Sequence, residues 1–493
     1  MKLWPEDSIK KPETSIGTLI IKDAVSVTMS SSVLPASQSW YASAIEIPNK
    51  LSSKDKIDIT YPDTNAEGTV IKVDDAKQYQ SILGVGTSIE GSTIANLNKL
   101  SPAMKTDILK KLVNPINGVG MSVLRVTIGT PDFTGEVFHT YDDMPTGQKD
   151  DAQLSRFSIQ TDIFDGTIAT IKEVLTLNPD IKLFASSWTP PGWMKEETAS
   201  SKSYNNNDGL LLRGGKLSDA HIDDLALYYT KYLEEYAKLG IPIYAMTLQN
   251  EPMLEIDYPS CAISSKQERL LSLAIKKLVS ESTILKTINS DTKIWAFDHN
   301  FDCAASYVPE VLDGPNGVDG VAFHSYGGEP TVMTQIHNQY PNIEIHLTER
   351  SLWGTEGADE IANYFRNYAQ SYTAWVTMLD SNISPMQWVG TPGPTMFVRD
   401  ANTPDNYWTC PEYYIEGQFS KFIRPGAVGI DSNYGSKDTV TNVSFKNTDG
   451  TIVTVVINQT DMHQTFKILN NGTQILAIIP AQNVATYQWT QPF

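Results

Sequence analysis

The sequence contains few cysteines, few basic residues and no long apolar run. The three cysteines, Cys261, Cys303 and Cys410, are too few for a disulfide framework and too widely spaced for a zinc motif. There are 38 Lys and Arg against 57 Asp and Glu, a net charge of −19, which argues against nucleic acid as a partner. No stretch reaches the ~20 apolar residues of a membrane span, so we predict no transmembrane segment.

The first residues, MKLWPEDSIK, also lack the apolar core of a signal peptide. The location of the protein is therefore open, with secretion as the leading expectation. Neither a heptad repeat nor a long apolar edge is apparent in the sequence, and this favours a monomer.

Aromatic residues, by contrast, are abundant, and both ends of the chain are rich in β-branched residues. The 22 Tyr, 15 Phe and 10 Trp exclude a disordered chain and predict a large packed core. Near the carboxyl end, the turn Asp449-Gly450 separates two alternating runs, which is a strong hairpin signal. Short strands are predicted at both ends: 18–21, 25–28, 56–60, 69–73, 440–445, 451–457 and 484–489. We therefore expect the two ends to build one β-sandwich together.

The middle of the chain alternates between short apolar strands and helices. Predicted strands at 122–128, 181–187, 244–248, 293–297, 320–323 and 343–347 are separated by helical segments in most cases. This order is typical of a parallel sheet, and seven or eight such units favour an α/β fold of the (β/α)8 TIM-barrel type, with an open doubly wound sheet as the alternative. We place amino-terminal sandwich strands at 1–80, the catalytic barrel at 81–424 and the rest of the sandwich at 425–493.

Two glutamates follow predicted barrel strands. Glu251 lies in Gln249-Asn250-Glu251-Pro252 after the strand 244–248, and Glu349 lies in Thr348-Glu349-Arg350 after the strand 343–347. Functional residues of such barrels lie at the carboxyl ends of the strands, so both side chains are expected in one bowl. Glycoside hydrolysis requires two carboxyl groups across a cleft, one to protonate the leaving oxygen and one to attack the sugar or activate water.

Other strand ends supply residue types suited to a sugar. Trp188, in the segment Trp188-Thr189-Pro190-Pro191-Gly192-Trp193, offers a ring on which a pyranose can stack. Asp132 can accept hydrogen bonds from sugar hydroxyls, and Arg125 can orient a catalytic carboxylate. A hydroxyl from Tyr326 can hydrogen-bond Glu349 and favour the ionised nucleophile.

No metal or cofactor is predicted. The clusters Asp142-Asp143 and Asp298-His299-Asn300 lack the ligand pattern of a calcium loop, and we assign them structural or substrate-rim roles. The turn Gly84-Val85-Gly86 lacks the third glycine of a dinucleotide site. His324, taken alone, is typical of a hydrogen-bonded structural histidine.

Several of these segments together resemble glycoside hydrolase family 30, which includes lysosomal glucosylceramidase and the endo-β-1,6-glucanases. The segment 183–195 (LFASSWTPPGWMK) resembles a signature of that family, 247–252 (TLQNEP) its acid/base motif and 347–349 (LTE) its nucleophile motif. The resemblance extends over about residues 82–493 in a consistent order.

The resemblance implies a retaining mechanism, with Glu251 as general acid/base and Glu349 as nucleophile. It also implies that Asp132, Trp188 and Asn250 hold the sugar, with Tyr326 near the nucleophile and Trp375 on the eighth strand. One departure is Ser325, where glucosylceramidases carry Trp, so an aromatic wall of the aglycone site is missing.

We thus expect a β-glycosidase of carbohydrate or sphingolipid metabolism that hydrolyses β-glucosidic bonds through a glycosyl-enzyme intermediate. Its substrate is expected to be a carbohydrate or glycolipid, either β-1,6-glucan or a glucosylceramide-type glycoside. The alternatives are β-xylosidase, β-fucosidase or galactanase activity, and a carbohydrate-binding protein without catalysis.

Overall fold

A computed structural model describes residues 36–43, 51–63, 67–144, 150–204, 210–288 and 291–490. Its central feature is a closed barrel of eight parallel strands, in which each strand pairs with the next and the last with the first. The strands are β1 (Gly84–Ile89), β2 (Val123–Ile128), β3 (Lys182–Ser187), β4 (Ala245–Thr247), β5 (Lys293–Asn300), β6 (Gly320–His324), β7 (Glu344–Arg350) and β8 (Ser371–Ala374). The predicted (β/α)8 barrel is confirmed, and the open doubly wound sheet is excluded.

Helices surround the barrel and connect its strands. The principal ones are α1 (Pro102–Val113), α2 (Thr167–Leu177), α3 (Ile222–Lys238), α4 (Ser265–Glu281), α5 (Phe301–Leu312), α6 (Thr331–Gln339), α7 (Gly354–Arg366) and α8 (Pro411–Ser420). Shorter helices span Gly91–Leu97, Gln160–Phe164, Ala199–Tyr204 and Thr283–Thr287. None of the helices in the described ranges is long and apolar enough to cross a membrane.

Local sequence explains the position of several of these helices. Helix α4 begins after a capping box, in which the Ser264 hydroxyl accepts from the Gln267 amide while the Gln267 side chain accepts from the Ser264 amide. Helix α3 buries Leu225, Tyr229, Tyr232 and Tyr236, whose spacing of three and four residues places them on one face. This face packs in the apolar core between the barrel and its helices.

The two chain ends form one ten-stranded sheet, most of whose pairings are antiparallel. Ala36–Ser43 pairs with Asn483–Trp489, and Thr69–Ser81 lies between Val428–Ser432 and Gln464–Asn470. The other members are Ser52–Ser53, Ile57–Asp58, Thr441–Lys446, Ile452–Asn458 and Thr473–Ile479. The sandwich built from both ends is thus confirmed, although the predicted strands at 18–21 and 25–28 lie outside the described residues.

Small strands outside these two sheets shape the rim above the barrel. Met378–Asp380, Phe397–Arg399 and Tyr407–Thr409 form a three-stranded sheet after β8, and Lys195–Glu196 pairs with Lys216–Leu217. Both lie in connections that follow carboxyl ends of barrel strands, the side on which functional residues are expected.

The interior of the barrel is filled in layers. A buried apolar layer contains Val123, Phe184, Ala245, Trp295 and Ala322. Side chains alternate along a strand, so the residue two positions further on points inward in the next layer. In β2, β3, β4 and β6 these residues are polar: Arg125, Ser186, Thr247 and His324. The change from apolar to polar marks where the barrel core ends and a site begins.

The segment Gly84-Val85-Gly86, expected as a turn, is instead the start of strand β1, and its glycine at position 86 has a packing role. A Cβ atom on Gly86 would lie 1.7 Å from the carbonyl oxygen of Val123 in the neighbouring strand β2. Only glycine allows β1 to approach β2 this closely. Gly86 is therefore explained by the close pairing of β1 with β2 in the closed barrel.

Candidate active site

The two predicted glutamates lie in one buried hydrogen-bond network. Glu251 follows β4 and Glu349 lies near the end of β7, and each is less than one-tenth exposed. His324 lies between them, with Nδ1 at 3.2 Å from Glu251 Oε1 and Nε2 at 3.7 Å from Glu349 Oε2. The structure therefore brings together the two carboxyl groups that the strand ends predict.

Arg125 is the cation at the centre of this network. Its guanidinium donates to Glu349 Oε2 through Nη1. Through Nη2 it donates to Asn250 Oδ1, at a distance of 2.9 Å. Nη2 also contacts Asp298 Oδ2 at 3.0 Å. Burial lowers the pKa of Arg125, but the charges of Asp298 and Glu349 outweigh that effect and raise it. Arg125 is thus a fixed positive charge that orients the nucleophile candidate and Asn250 together.

Asp298, for which a structural or substrate-rim role was expected, lies at the centre of this network and not at the rim. It is fully buried and accepts hydrogen bonds from Thr348 Oγ1 at 2.6 Å and Thr247 Oγ1 at 2.7 Å, besides Arg125. Burial raises the pKa of this carboxyl, yet Arg125 and His324 hold it below its ordinary value. Asp298 is therefore the counterion that fixes both cationic side chains.

A bulge in β5 explains why alternation along the strand does not reveal Asp298. The register between β5 and β6 shifts between Phe297 and His299, and Phe297 and Asp298 both have positive φ values, of 79° and 48°. The Trp295 side chain points into the barrel, and strict alternation would make the Phe297 side chain point inward as well. Phe297 instead packs in the apolar core between the barrel and its helices. The bulge gives the inward position to Asp298.

His324 is hydrogen-bonded, as a structural histidine would be, but its partners are catalytic candidates. Its Nε2 lies 3.1 Å from Asp298 Oδ1, opposite the contact with Glu251. Burial lowers the pKa of His324, while Glu349 and Asp298 raise it, with a net value of about 10. The imidazole is therefore protonated at neutral pH and donates to both Asp298 and Glu251.

The charge on His324 acts directly on Glu251. Burial raises the pKa of Glu251, but the hydrogen bond and the charge of His324 outweigh it, so the pKa is lowered. The Glu251 amide donates to the Asp298 carbonyl at 3.0 Å, and Glu251 has a φ of 49°. This turn directs the carboxyl group toward His324.

Two tryptophans form an aromatic wall beside the guanidinium. Trp188 and Trp375 stack with ring centroids 4.9 Å apart, and the Arg125 guanidinium carbon lies 4.8 and 5.3 Å from the two rings. Phe133 contacts Trp375 edge-on at 5.8 Å. Trp193 has a different position, because its indole nitrogen donates to Asp142 Oδ2 at 3.1 Å and braces the loop after β3.

The remaining two predicted residues complete the site. The Tyr326 hydroxyl donates to Glu349 Oε1 at 3.0 Å, and the ring is 45% exposed, so the site is open on this side. Asp132 is buried, and burial together with the charge of Glu349 raises its pKa well above the ordinary value. A neutral Asp132 can donate as well as accept a hydrogen bond.

The arrangement suits acid–base and nucleophilic chemistry. The Glu349 carboxylate is held by the Arg125 guanidinium and the Tyr326 hydroxyl. The Glu251 carboxylate is paired with the protonated imidazole of His324. Within the described part of the chain, no group of three or more His, Cys, Asp or Glu side chains has an arrangement suited to a metal ion.

Comparison with known proteins assigns the family. Residues 82–423 match the model for the glycosyl hydrolase family 30 TIM-barrel domain, and residues 426–487 match its β-sandwich domain. The endo-1,6-beta-D-glucanase neg1 of Aspergillus fumigatus is 32% identical over 84% of this chain and 85% of its own length. The lysosomal acid glucosylceramidase of Mus musculus is 25% identical over 86% of this chain and 84% of its own length.

Among solved structures, the endo-beta1,6-glucanase BT3312 has a TM-score of 0.79 and 26% identity, covering 93% of this chain and 99% of its own. The chain is therefore a glycoside hydrolase, and it belongs to glycosyl hydrolase family 30.

Proposed function

We propose that this enzyme hydrolyses β-1,6-linked glucan with retention of configuration, through a glycosyl-enzyme intermediate. The observation that carries the proposal is the network in which Arg125 and His324 link Glu349 and Glu251. Retaining glycosidases need one carboxylate kept negative for attack and one carboxyl group able to give and take a proton. The two glutamates have different partners, and this difference supports separate roles.

Glu349 has the partners of a nucleophile. Arg125 and the Tyr326 hydroxyl donate to its two oxygens, one to each, and stabilise negative charge there. In the first step, a carboxylate oxygen of Glu349 attacks the anomeric carbon, and the bond from that carbon to the leaving oxygen breaks.

Glu251 has the partner of a proton donor and acceptor. The pair formed by His324 and Glu251 holds the proton that the leaving oxygen needs, and Glu251 delivers it as the glycosidic bond breaks. Water then attacks the glycosyl ester while the same pair takes up a proton from it. The net reaction adds one water molecule across the glycosidic bond and restores both carboxylates.

Two observations favour β-1,6-glucan over glucosylceramide. Three relatives named as endo-1,6-beta-D-glucanases are 31% to 32% identical to this chain, against 25% to 29% for four relatives named as glucosylceramidases, three of them as putative ones. In addition, the small side chain of Ser325 accepts a hydrogen bond from the Tyr364 hydroxyl at 2.9 Å, at the position where the resemblance places a tryptophan in glucosylceramidases. Glucosylceramide remains the second candidate, because relatives with that name match over most of this chain.

The proposal is tested by following hydrolysis of β-1,6-glucan by proton NMR. Retention predicts that the β anomer of the new reducing end appears first and then mutarotates. Replacement of either glutamate, Glu349→Ala or Glu251→Ala, should reduce kcat about a thousandfold or more. With added azide, Glu349→Ala should give the α-glucosyl azide from an activated glucoside, and Glu251→Ala the β-glucosyl azide.

A matched control is Glu356→Ala, which removes an exposed glutamate in the first turn of α7. Its rate should equal that of the parent enzyme. First appearance of the α anomer would exclude retention, and release from glucosylceramide without release from the glucan would exclude the proposed substrate.

A further inference from the structure

A second cavity lies between the barrel and the sandwich. It has a volume of about 380 Å³, within the usual range of ligand sites. The side chains that matter for the argument are Gln78, Tyr79, His337, Asn342, Tyr368 and Gln370. Asn342 lies two residues before the first residue of β7, and Gln370 lies one residue before the first residue of β8. The cavity is therefore at the amino-terminal end of the barrel strands.

This position separates the cavity from the active site. Ile343, which lines the cavity, precedes Glu349 by six residues along β7. At ~3.3 Å per residue the two lie about 20 Å apart, on opposite ends of the barrel. A ligand in the cavity therefore does not occupy the catalytic bowl.

A bulge in the long strand Thr69–Ser81 directs consecutive side chains into the cavity. Burial alternates from Ile71 to Asp75, but four exposed residues follow at 76–79. The pairing with Val428–Ser432 shifts register at this place, since Val428 opposes Ser81 while Ile430 opposes Gln78. Bulges commonly redirect side chains in this way, and here both Gln78 and Tyr79 line the same cavity.

The walls combine aromatic rings with amides. Tyr368 stacks on His337 with ring centroids 3.8 Å apart and contacts Tyr79 edge-on at 5.9 Å. The wall beneath them is fixed, because the buried Gln80 amide donates to the carbonyl oxygens of Phe365 at 2.6 Å and Ala369 at 2.9 Å. The rings are thus held in place before any ligand binds.

The cavity is also free of net charge, although the chain carries −19. None of the described residues that line it is Asp, Glu, Lys or Arg, and burial lowers the pKa of His337, so its ring is neutral at pH 7. Two charged residues lie beside Tyr79 at the edge of the cavity: Lys77 pairs with Asp431 at 2.9 Å and lies 5.4 Å from the centroid of the Tyr79 ring, and the Tyr79 hydroxyl donates to Asp431. The lining itself therefore offers a phosphate or a cation no opposite charge, and the two charges beside Tyr79 already neutralise each other.

We propose that this cavity is a second carbohydrate-binding site, which takes a short stretch of neutral glycan outside the active site. Tyrosine rings can stack on the C–H face of a sugar, and the amides of Gln78, Asn342 and Gln370 can bind its hydroxyls. The choice of β-1,6-glucan as the glycan rests on the proposed function, whereas the presence of a neutral sugar site does not. Such a site holds the polymer on the enzyme while the barrel cleaves it.

The test measures binding and catalysis separately. Affinity electrophoresis in gels containing β-1,6-glucan uses the Glu349→Ala background, so that no cleavage occurs. Tyr368→Ala should weaken retention by the glucan about fivefold, as loss of one stacking ring would. In the otherwise unaltered enzyme, the same change should raise KM for the polymer and leave kcat/KM for a small aryl β-glucoside unchanged.

Two further variants keep the test decisive. Gln78→Ala combined with Asn342→Ala removes two exposed amides and should weaken retention without affecting folding. Tyr61→Ala removes a tyrosine that is 66% exposed outside the cavity and should change nothing. Unchanged retention in both sets of cavity variants would overturn the proposal.

The same gels distinguish this site from the proposed function. Retention by xylan or β-1,3-glucan that depends on Tyr368, without retention or cleavage of β-1,6-glucan, would support the second site and contradict the proposed substrate. Cleavage of β-1,6-glucan with retention independent of Tyr368 would support the proposed substrate and contradict the second site.

Discussion

Two buried glutamates of α8 are expected to make the fold less stable as the pH rises. Glu412 and Glu416 are 4% and 3% exposed and face Leu352 and Ile361 around a cavity of about 10 Å³. Among the described residues, both carboxyl oxygens of Glu412 and one of Glu416 have no hydrogen-bond partner. Ionisation of either side chain therefore places an uncompensated charge in an apolar environment.

The size of the effect follows from the pKa values. Burial raises the pKa of Glu412 from its ordinary value of 4.5 to about 7. Burial and the neighbouring Glu412 raise the pKa of Glu416 well above its ordinary value. Between pH 4.5 and about 7, Glu412 keeps its proton in the folded chain but has released it in the unfolded chain. The stability that is present below pH 4.5 is therefore lost as the pH rises through about 7. The difference between a pKa of 4.5 and one of about 7 corresponds to about 3 kcal/mol for Glu412 alone.

Urea unfolding at pH 5 and pH 8 measures this loss. For Glu412→Gln the free energy of unfolding should fall about 2.5 kcal/mol less between the two pH values than for the parent, because the amide does not ionise and because the unfolded parent is already partly ionised at pH 5. Glu356→Gln, at an exposed position of the neighbouring α7, should show the full loss of the parent. An equal decrease in the parent and in Glu412→Gln would refute the reasoning, and it would mean that Glu412 is ionised in the folded protein with a partner or water.

Two further predictions concern the active site. Replacement of Asp298 by Asn should reduce kcat/KM about a hundredfold, from a loss of about 3 kcal/mol in a buried ion pair. It should also shift the alkaline limb of the pH–rate profile to lower pH, because Asp298 contributes to the raised pKa of His324; an unshifted limb would contradict this. Replacement of Tyr326 by Phe removes the donor to Glu349 Oε1 and should lower kcat about tenfold or more, as stopped-flow or steady-state rates on an aryl glucoside would show.

Part of the active site could be predicted because parallel strands in a barrel share one direction. Glu251 and Glu349 each follow or end a strand that the apolar pattern identifies, so both were expected at the same rim. The same reasoning gave Arg125, Trp188 and Tyr326. The limits of the strands were less accurate, since β7 extends to Arg350 and β5 extends to Asn300, beyond the predicted ends at 347 and 297.

Asp298 and the second cavity could not be predicted in this way. Both depend on β-bulges, in β5 and in Thr69–Ser81, and a bulge interrupts the alternation of inward and outward side chains along a strand. The burial of Glu412 and Glu416 is similar. Their spacing of four residues on α8 is typical of a solvent-exposed helix face, and only the packing of α8 around Leu352 and Ile361 makes them buried.

The sequence by itself determined six of the eight barrel strands, β2 to β7, the β-rich character of both chain ends and the two glutamates. These follow from local conformational preferences and from periodicity, which act within a few residues. Only the tertiary structure decided which charges meet. Arg125 and Glu349 are 224 residues apart in the chain, and their contact, like the position of His324 between two carboxylates, exists because barrel closure brings β2, β6 and β7 around one interior.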